Sequence, residues 1–91
     1  SKQQSEMAKK YGNKDRQVGV VTNSNDPCIS SLLSLFGREE LKLQESHEEK
    51  NLANLFNLLL FIFRNCSDVQ IFFYELSIKT MEPAFLQAKK I

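Results

Sequence analysis

The sequence is short of the residues that mark several classes of protein. It has two cysteines in 91 residues, whereas a small secreted scaffold usually carries four or more. Nothing in it resembles a signal peptide, so we expect an intracellular protein with reduced thiols. Its three glycines are dispersed and form no phosphate-binding loop, so no nucleotide site is predicted.

Candidate catalytic and metal-ligating residues are equally few. The single histidine, His47, has no serine or cysteine placed beside it by sequence, which favours an exposed polar role over a general base. Cys28, His47 and Cys66 lack the paired spacings that are typical of zinc sites. The sequence therefore predicts no enzyme, no cofactor and no metal. An enzyme or metalloprotein would need residues from another chain.

The most apolar stretch is too short to cross a membrane. Residues 52–63, LANLFNLLLFIF, would rise about 18 Å as a helix, whereas the hydrocarbon core of a bilayer is about 30 Å thick. Every position from 58 to 63 is apolar, which is typical of a helix surrounded by others. Residues 55–59 also match L-x-x-L-L, a helix-docking pattern, but apolar periodicity alone produces that match. We predict a core helix.

Charge is unevenly distributed, although the net charge is only +1. Residues 1–20 hold five basic and two acidic side chains, which makes a nucleic-acid-associated protein with oligomerising helices the alternative function. A solubilising tail is the favoured interpretation, because aromatic residues are not interleaved with these charges. Residues 38–50 are acidic, and their glutamates are interpreted as a solvated helix face. These glutamates are Glu39, Glu40, Glu45, Glu48 and Glu49.

The chain divides into a flexible basic tail or linker, residues 1–25, and a helical domain, residues 26–91. The tail is polar and shows no helical periodicity. Within it, the segment VGVVT at positions 18–22 has the composition of a strand, but we predict no second strand to pair with it.

A short amphipathic helix is predicted to open the helical domain. Asp26 is its N-cap, Pro27 suits the first helical position, and Gly37 is the predicted C-terminal stop. A linker or short second helix follows through position 45. The apolar face of the first helix is the predicted partner-binding surface. Its residues are Ile29, Leu32, Leu33 and Phe36.

Two further helices are predicted to begin at capping boxes. Ser46 and Glu49 start a helix that runs to about position 65, and Ser67 and Gln70 start one over positions 68–80. Pro83 either ends that helix or begins a last short one. The residues predicted to form the core share apolar helical periodicity. They are Leu55, Leu59, Phe61, Ile62, Phe72, Phe73 and Leu76.

Residues 58–70, LLLFIFRNCSDVQ, resemble the junction inside an armadillo-type or HEAT-type helical repeat. In such a junction an apolar helix ends in a pair such as Arg-Asn, and the next helix follows a short turn. The resemblance implies a fragment or terminal cap of a larger scaffold that binds proteins. It carries no binding residues to this chain, and residues 27–91 would hold at most about one and a half repeats of about 40 residues.

Together these patterns predict an all-α fold, a small bundle of three to four helices with a polar N-terminal tail. The predicted function is non-enzymatic protein–protein interaction, as an adaptor, scaffold or oligomerisation domain. A core that contains so many of the seven phenylalanines is more than one short protomer can cover. We therefore expect a homodimer or another partner chain.

Overall fold

The structure, a computed structural model, describes residues 17–90; residues 1–16 and 91 lie outside the described residues. The element order is β1 (Val18–Thr22), α1 (Pro27–Glu45), α2 (Glu49–Asn65), β2 (Val69–Phe73), α3 (Leu76–Lys79) and α4 (Glu82–Lys89). The predicted helical character is confirmed. The all-α class is wrong, because a two-stranded sheet joins the two ends of the helical hairpin.

The sheet forms from two segments, of which one was predicted as an unpaired strand and the other as part of a helix. β1 and β2 pair antiparallel, with Val18 opposite Phe73 and Thr22 opposite Val69. All five residues of β1 are buried, so the expectation that this segment has no partner strand is wrong. The helix predicted over residues 68–80 is also wrong. Val, Ile and Phe side chains suit a pleated surface, and β1 supplies the backbone partners that make β2 a strand.

The first helix is longer than predicted. Asp26 caps it as expected, since its Oδ1 accepts a hydrogen bond from the N–H of Cys28 at 2.9 Å. The helix continues through Gly37, and no glycine among residues 17–90 has a positive φ. Leu43 extends the buried face toward the helix end. The predicted stop at Gly37 and the linker after it are therefore wrong.

α2 is the predicted core helix, and it ends at the predicted residue, Asn65. Its N-cap is Glu48, which makes no side-chain cap bond, so the capping box from Ser46 does not form. Instead the Nδ2 atom of Asn51 donates to the carbonyl oxygen of Ser46 at 2.9 Å, which ties the two helices together at their turn. No helix within residues 17–90 is long and apolar enough to span a bilayer.

Phe85 of α4 is the centre of the aromatic part of the core. Its ring meets those of Phe56, Phe63 and Phe73 edge-on, at centroid distances of 6.1, 6.0 and 5.6 Å. These contacts fasten α4 to α2 and to the sheet. Pro83 therefore lies in the first turn of a last helix, which was one of the two predicted alternatives.

The predicted core is partly correct. The residues that are buried as predicted are Leu55, Leu59, Ile62 and Phe73. Phe61, Phe72 and Leu76 are 54%, 42% and 79% exposed, so their assignment to the core is wrong. Phe61 lies on the outer side of α2. Phe72 is exposed because a strand turns alternate side chains to opposite faces of the sheet.

Candidate functional site

The apolar face of α1 that the sequence predicts as a partner surface packs inside the chain. Ile29, Leu33 and Phe36 are buried in the hydrophobic core, and Leu32 is partly buried against it. α1 packs directly on α2. This face is therefore occupied by the chain itself, and the exposed apolar side chains lie elsewhere.

The other singled-out residues do not come together into one site. His47 is exposed in the turn between α1 and α2, and Cys28 is exposed in the first turn of α1. Cys66 is buried just after α2, where its Sγ lies 3.6 Å from Oγ1 of Thr22. Within residues 17–90, no three His, Cys, Asp or Glu side chains gather as metal ligands.

A buried carboxylate satisfies a backbone donor on the outer edge of β1. Glu40 of α1 is 1% exposed, and its Oε2 accepts a hydrogen bond from the N–H of Val18 at 3.0 Å. That N–H points away from β2, because the N–H of Tyr74 donates to the carbonyl of Gln17 at 2.9 Å and ladder pairs alternate along the strand. Placing Glu40 on a solvated acidic face is therefore wrong.

Within residues 17–90, no side chain forms a comparable hydrogen bond at the outer edge of β2. The same alternation turns the backbone N–H and C=O groups of Val69, Ile71 and Phe73 away from β1. Among residues 17–90, no other element forms a hydrogen bond with the outward N–H and C=O groups of these three residues. We call these outward groups the β2 edge. Unpaired strand edges of this kind are templates for another strand.

Two stacked aromatic rings lie on the outer face of the sheet. The rings of Phe72 and Tyr74 are 6.5 Å apart at their centroids with 17° between their planes, and we call them the aromatic pair. Both side chains are exposed. Tyr74 also covers Gly19, where an added Cβ would lie 2.8 Å from the Cε2 atom of the ring. Glycine at this position therefore allows the ring to lie on the strand.

An open cleft of about 330 Å³ lies between β2 and α4. We call it the β2 cleft. Its lining residues are Phe63, Val69, Gln70, Ile71, Phe72, Phe85 and Lys89. The Nζ atom of Lys89 lies 4.2 Å from the ring centroid of Phe63, a cation–π contact that holds the charge beside the cleft.

We infer from its ring contacts that Lys89 lies toward the Val69 end of the cleft. The ring of Phe85 contacts the ring of Phe73, the last residue of β2. Lys89 lies one turn after Phe85 in α4. Its contact with Phe63, close to the end of α2, places it where the chain enters β2. The cleft therefore has a mixed lining, with apolar side chains, the polar Gln70 and the positive charge of Lys89.

Two other clefts lie on the described surface. One is apolar, has a volume of about 300 Å³ and is formed by α2 and α4, with Leu52, Phe56 and Met81 among its lining. The other is polar, with a volume of about 360 Å³, and includes Asp26, Cys66 and Asp68 near the start of α1. Neither adjoins an open strand edge.

Comparison with known proteins gives no relative for this chain: no protein-family model, curated protein or solved structure matches it. The resemblance of residues 58–70 to a helical-repeat junction stays a prediction. The β2 edge was not predicted from the sequence. The available signal was the alternation of Val69, Ile71 and Phe73 with Gln70, which fits a strand as well as a helix.

Proposed function

We propose that this chain is a non-enzymatic protein-interaction domain that binds an extended polypeptide segment along the β2 edge. The observation that carries this proposal is the difference between the two edges of the sheet. Glu40 satisfies an outward donor of β1, whereas no hydrogen bond from another element within residues 17–90 reaches the β2 edge, which adjoins the β2 cleft. Strand addition uses such an edge for backbone pairing and neighbouring pockets for side-chain recognition.

The β2 edge and its surroundings predict the conformation, the side chains and the charge of the bound segment. Backbone hydrogen bonds to Val69, Ile71 and Phe73 require an extended conformation. Alternate side chains of that segment face the β2 cleft, where Phe63, Ile71 and Phe85 favour apolar residues. Lys89 favours a carboxylate near the Val69 end.

The role is that of an adaptor, scaffold or oligomerisation domain, and the low cysteine content supports an intracellular setting. The nucleic-acid alternative depends on five basic residues that all fall in residues 1–16, outside the described residues. Residues 17–90 carry seven Lys and Arg side chains against nine Asp and Glu, so they add no support to that alternative.

The proposal is tested by selecting binders from a displayed library of random seven-residue peptides. We expect enrichment of peptides with alternating apolar residues and one acidic residue. Binding should be lost in Ile71→Pro, which removes an outward N–H without removing a bond to β1. Ile71→Val keeps the N–H and should bind as the original chain does.

Circular dichroism must show that Ile71→Pro keeps its helical content, because a misfolded variant would lose binding for another reason. Should that variant fail to fold, Lys89→Glu provides the second comparison, with weaker binding of the acidic peptides expected. Selected peptides that bind folded Ile71→Pro as well as the original chain would contradict the proposal, and so would a selection that enriches no peptide.

A further inference from the structure

We propose that the segment bound at the β2 edge is the β2 edge of a second copy of this chain, paired antiparallel about a two-fold axis at Ile71. This inference rests on the proposed function, because it uses the same edge, and it names the partner. The product is a four-stranded antiparallel sheet in the order β1, β2, β2, β1. Two-fold pairing of identical surfaces is the commonest form of homo-oligomer.

The register of β2 makes its edge complementary to itself. The outward backbone groups belong to Val69, Ile71 and Phe73, which are spaced evenly about Ile71. Antiparallel pairing about that residue places Ile71 opposite Ile71 and Val69 opposite Phe73. Each outward N–H then meets an outward C=O of the second copy, so every member of the edge gains a partner.

The same register brings opposite charges together at both ends of the pairing. Continuing it by two residues places Glu75 of the second copy opposite Ser67, just before Val69. This is the end of β2 where Lys89 lies over the ring of Phe63. Glu75 is exposed and directly follows the aromatic pair. Because the arrangement is symmetric, the Glu75–Lys89 juxtaposition occurs twice.

The pairing also accounts for the exposed aromatic residue at the middle of β2. Phe72 lies on the outer face, and its counterpart in the second copy is a diagonal neighbour on that same face. Diagonal neighbours in a sheet are about 7–8 Å apart, which aromatic side chains can bridge. Dimerisation therefore removes part of the exposed surface of both Phe72 rings from water.

The test is an exchange of charges between copies, read as mass by light scattering of the full chain over a concentration range. The original chain should approach twice its monomer mass as the concentration rises. Lys89→Glu and Glu75→Lys should each dissociate about tenfold more readily, because each sets two pairs of like charges against each other. An equimolar mixture of the two variants should restore the dimer, since both pairs in the heterodimer are again opposite in charge.

Glu45→Lys is the matched control, because Glu45 is exposed at the far end of α1, and it should leave dissociation unchanged. A chain that remains monomeric at every concentration would overturn the inference. The proposed function would survive that result if selected peptides still bound in an Ile71-dependent manner, and both would fail if none did. A dimer that neither charge reversal weakens, or that mixing does not restore, would also overturn the inference.

Discussion

The Oε2 atom of Glu40 accepts a hydrogen bond from the N–H of Val18 at 3.0 Å, and both residues are fully buried. This contact joins the middle of α1 to the free side of β1. The carboxylate satisfies a backbone donor at the edge of the sheet. In a sheet with more strands, a neighbouring strand would accept this hydrogen bond. Within residues 17–90, the outer edge of β2 has no side-chain contact of this kind.

Removing the Glu40 carboxylate should destabilise the fold. Glu40→Ala leaves the buried N–H of Val18 without its acceptor, and we expect a loss of about 1–3 kcal/mol in the free energy of unfolding. Glu40→Gln keeps an oxygen acceptor and should lose less. Urea denaturation measures both, with the exposed Glu45→Ala as the reference. Equal midpoints for Glu40→Ala and Glu45→Ala would show that the contact contributes nothing.

The contact between Tyr74 and Gly19 predicts a coupled pair of substitutions. Gly19→Ala places a methyl group 2.8 Å from the Tyr74 ring, which must move aside. Because the ring is partly exposed, we expect a cost of no more than about 1 kcal/mol. In a Tyr74→Ala background the same change should cost nothing or stabilise the strand. Thermal unfolding of the four chains gives the coupling energy, and additive effects would contradict the packing described.

Phe85 and Phe61 should respond very differently to truncation. Phe85 meets three other aromatic rings in the core, so Phe85→Ala should cost about 3–5 kcal/mol. Phe61 is exposed on α2, and Phe61→Ala should change the free energy of unfolding by less than about 0.5 kcal/mol. Chemical denaturation distinguishes the two. A large loss for Phe61→Ala would restore it to the core where the sequence had placed it.

The extension of α1 beyond Gly37 predicts a contrast between two nearby leucines. Leu43 is buried and Leu41 is exposed, although both follow the predicted helix stop. Leu43→Ala should cost about 2–5 kcal/mol, whereas Leu41→Ala should cost less than about 1 kcal/mol. Similar small losses at both positions would mean that this part of the helix does not pack.

The sequence predicts the helical hairpin well where its signals are local. The cap at Asp26, the apolar run of α2 and its end at Asn65 depend on neighbouring residues, and all are found. The error at Gly37 has a physical cause. A glycine after an apolar stripe predicts a helix stop, but Gly37 has no positive φ and the helix continues past it. The next buried position is that of Glu40, which apolar periodicity does not mark. The hydrogen bond that makes its burial possible comes from a distant strand.

The β2 edge depends on contacts that sequence periodicity does not show. Val69, Phe72 and Phe73 fit a helical stripe, and the choice of strand is made by pairing with β1, whose Val18 lies opposite Phe73. Because β1 is about fifty residues earlier in the chain, no local pattern reveals this pairing. The exposure of the Phe72 and Tyr74 side chains can be predicted only after β2 has been recognised as a strand.

Hydrogen exchange of the individual β2 amides, measured at increasing protein concentration, is the most direct test of an open β2 edge. At the lowest concentration the N–H of Phe72, which faces β1, should be protected, whereas that of Ile71 should exchange rapidly. Raising the concentration should protect Ile71 as the second copy pairs with it. Protection of Ile71 equal to that of Phe72 at the lowest concentration, in a chain whose mass is that of a monomer, would mean that the edge is already covered.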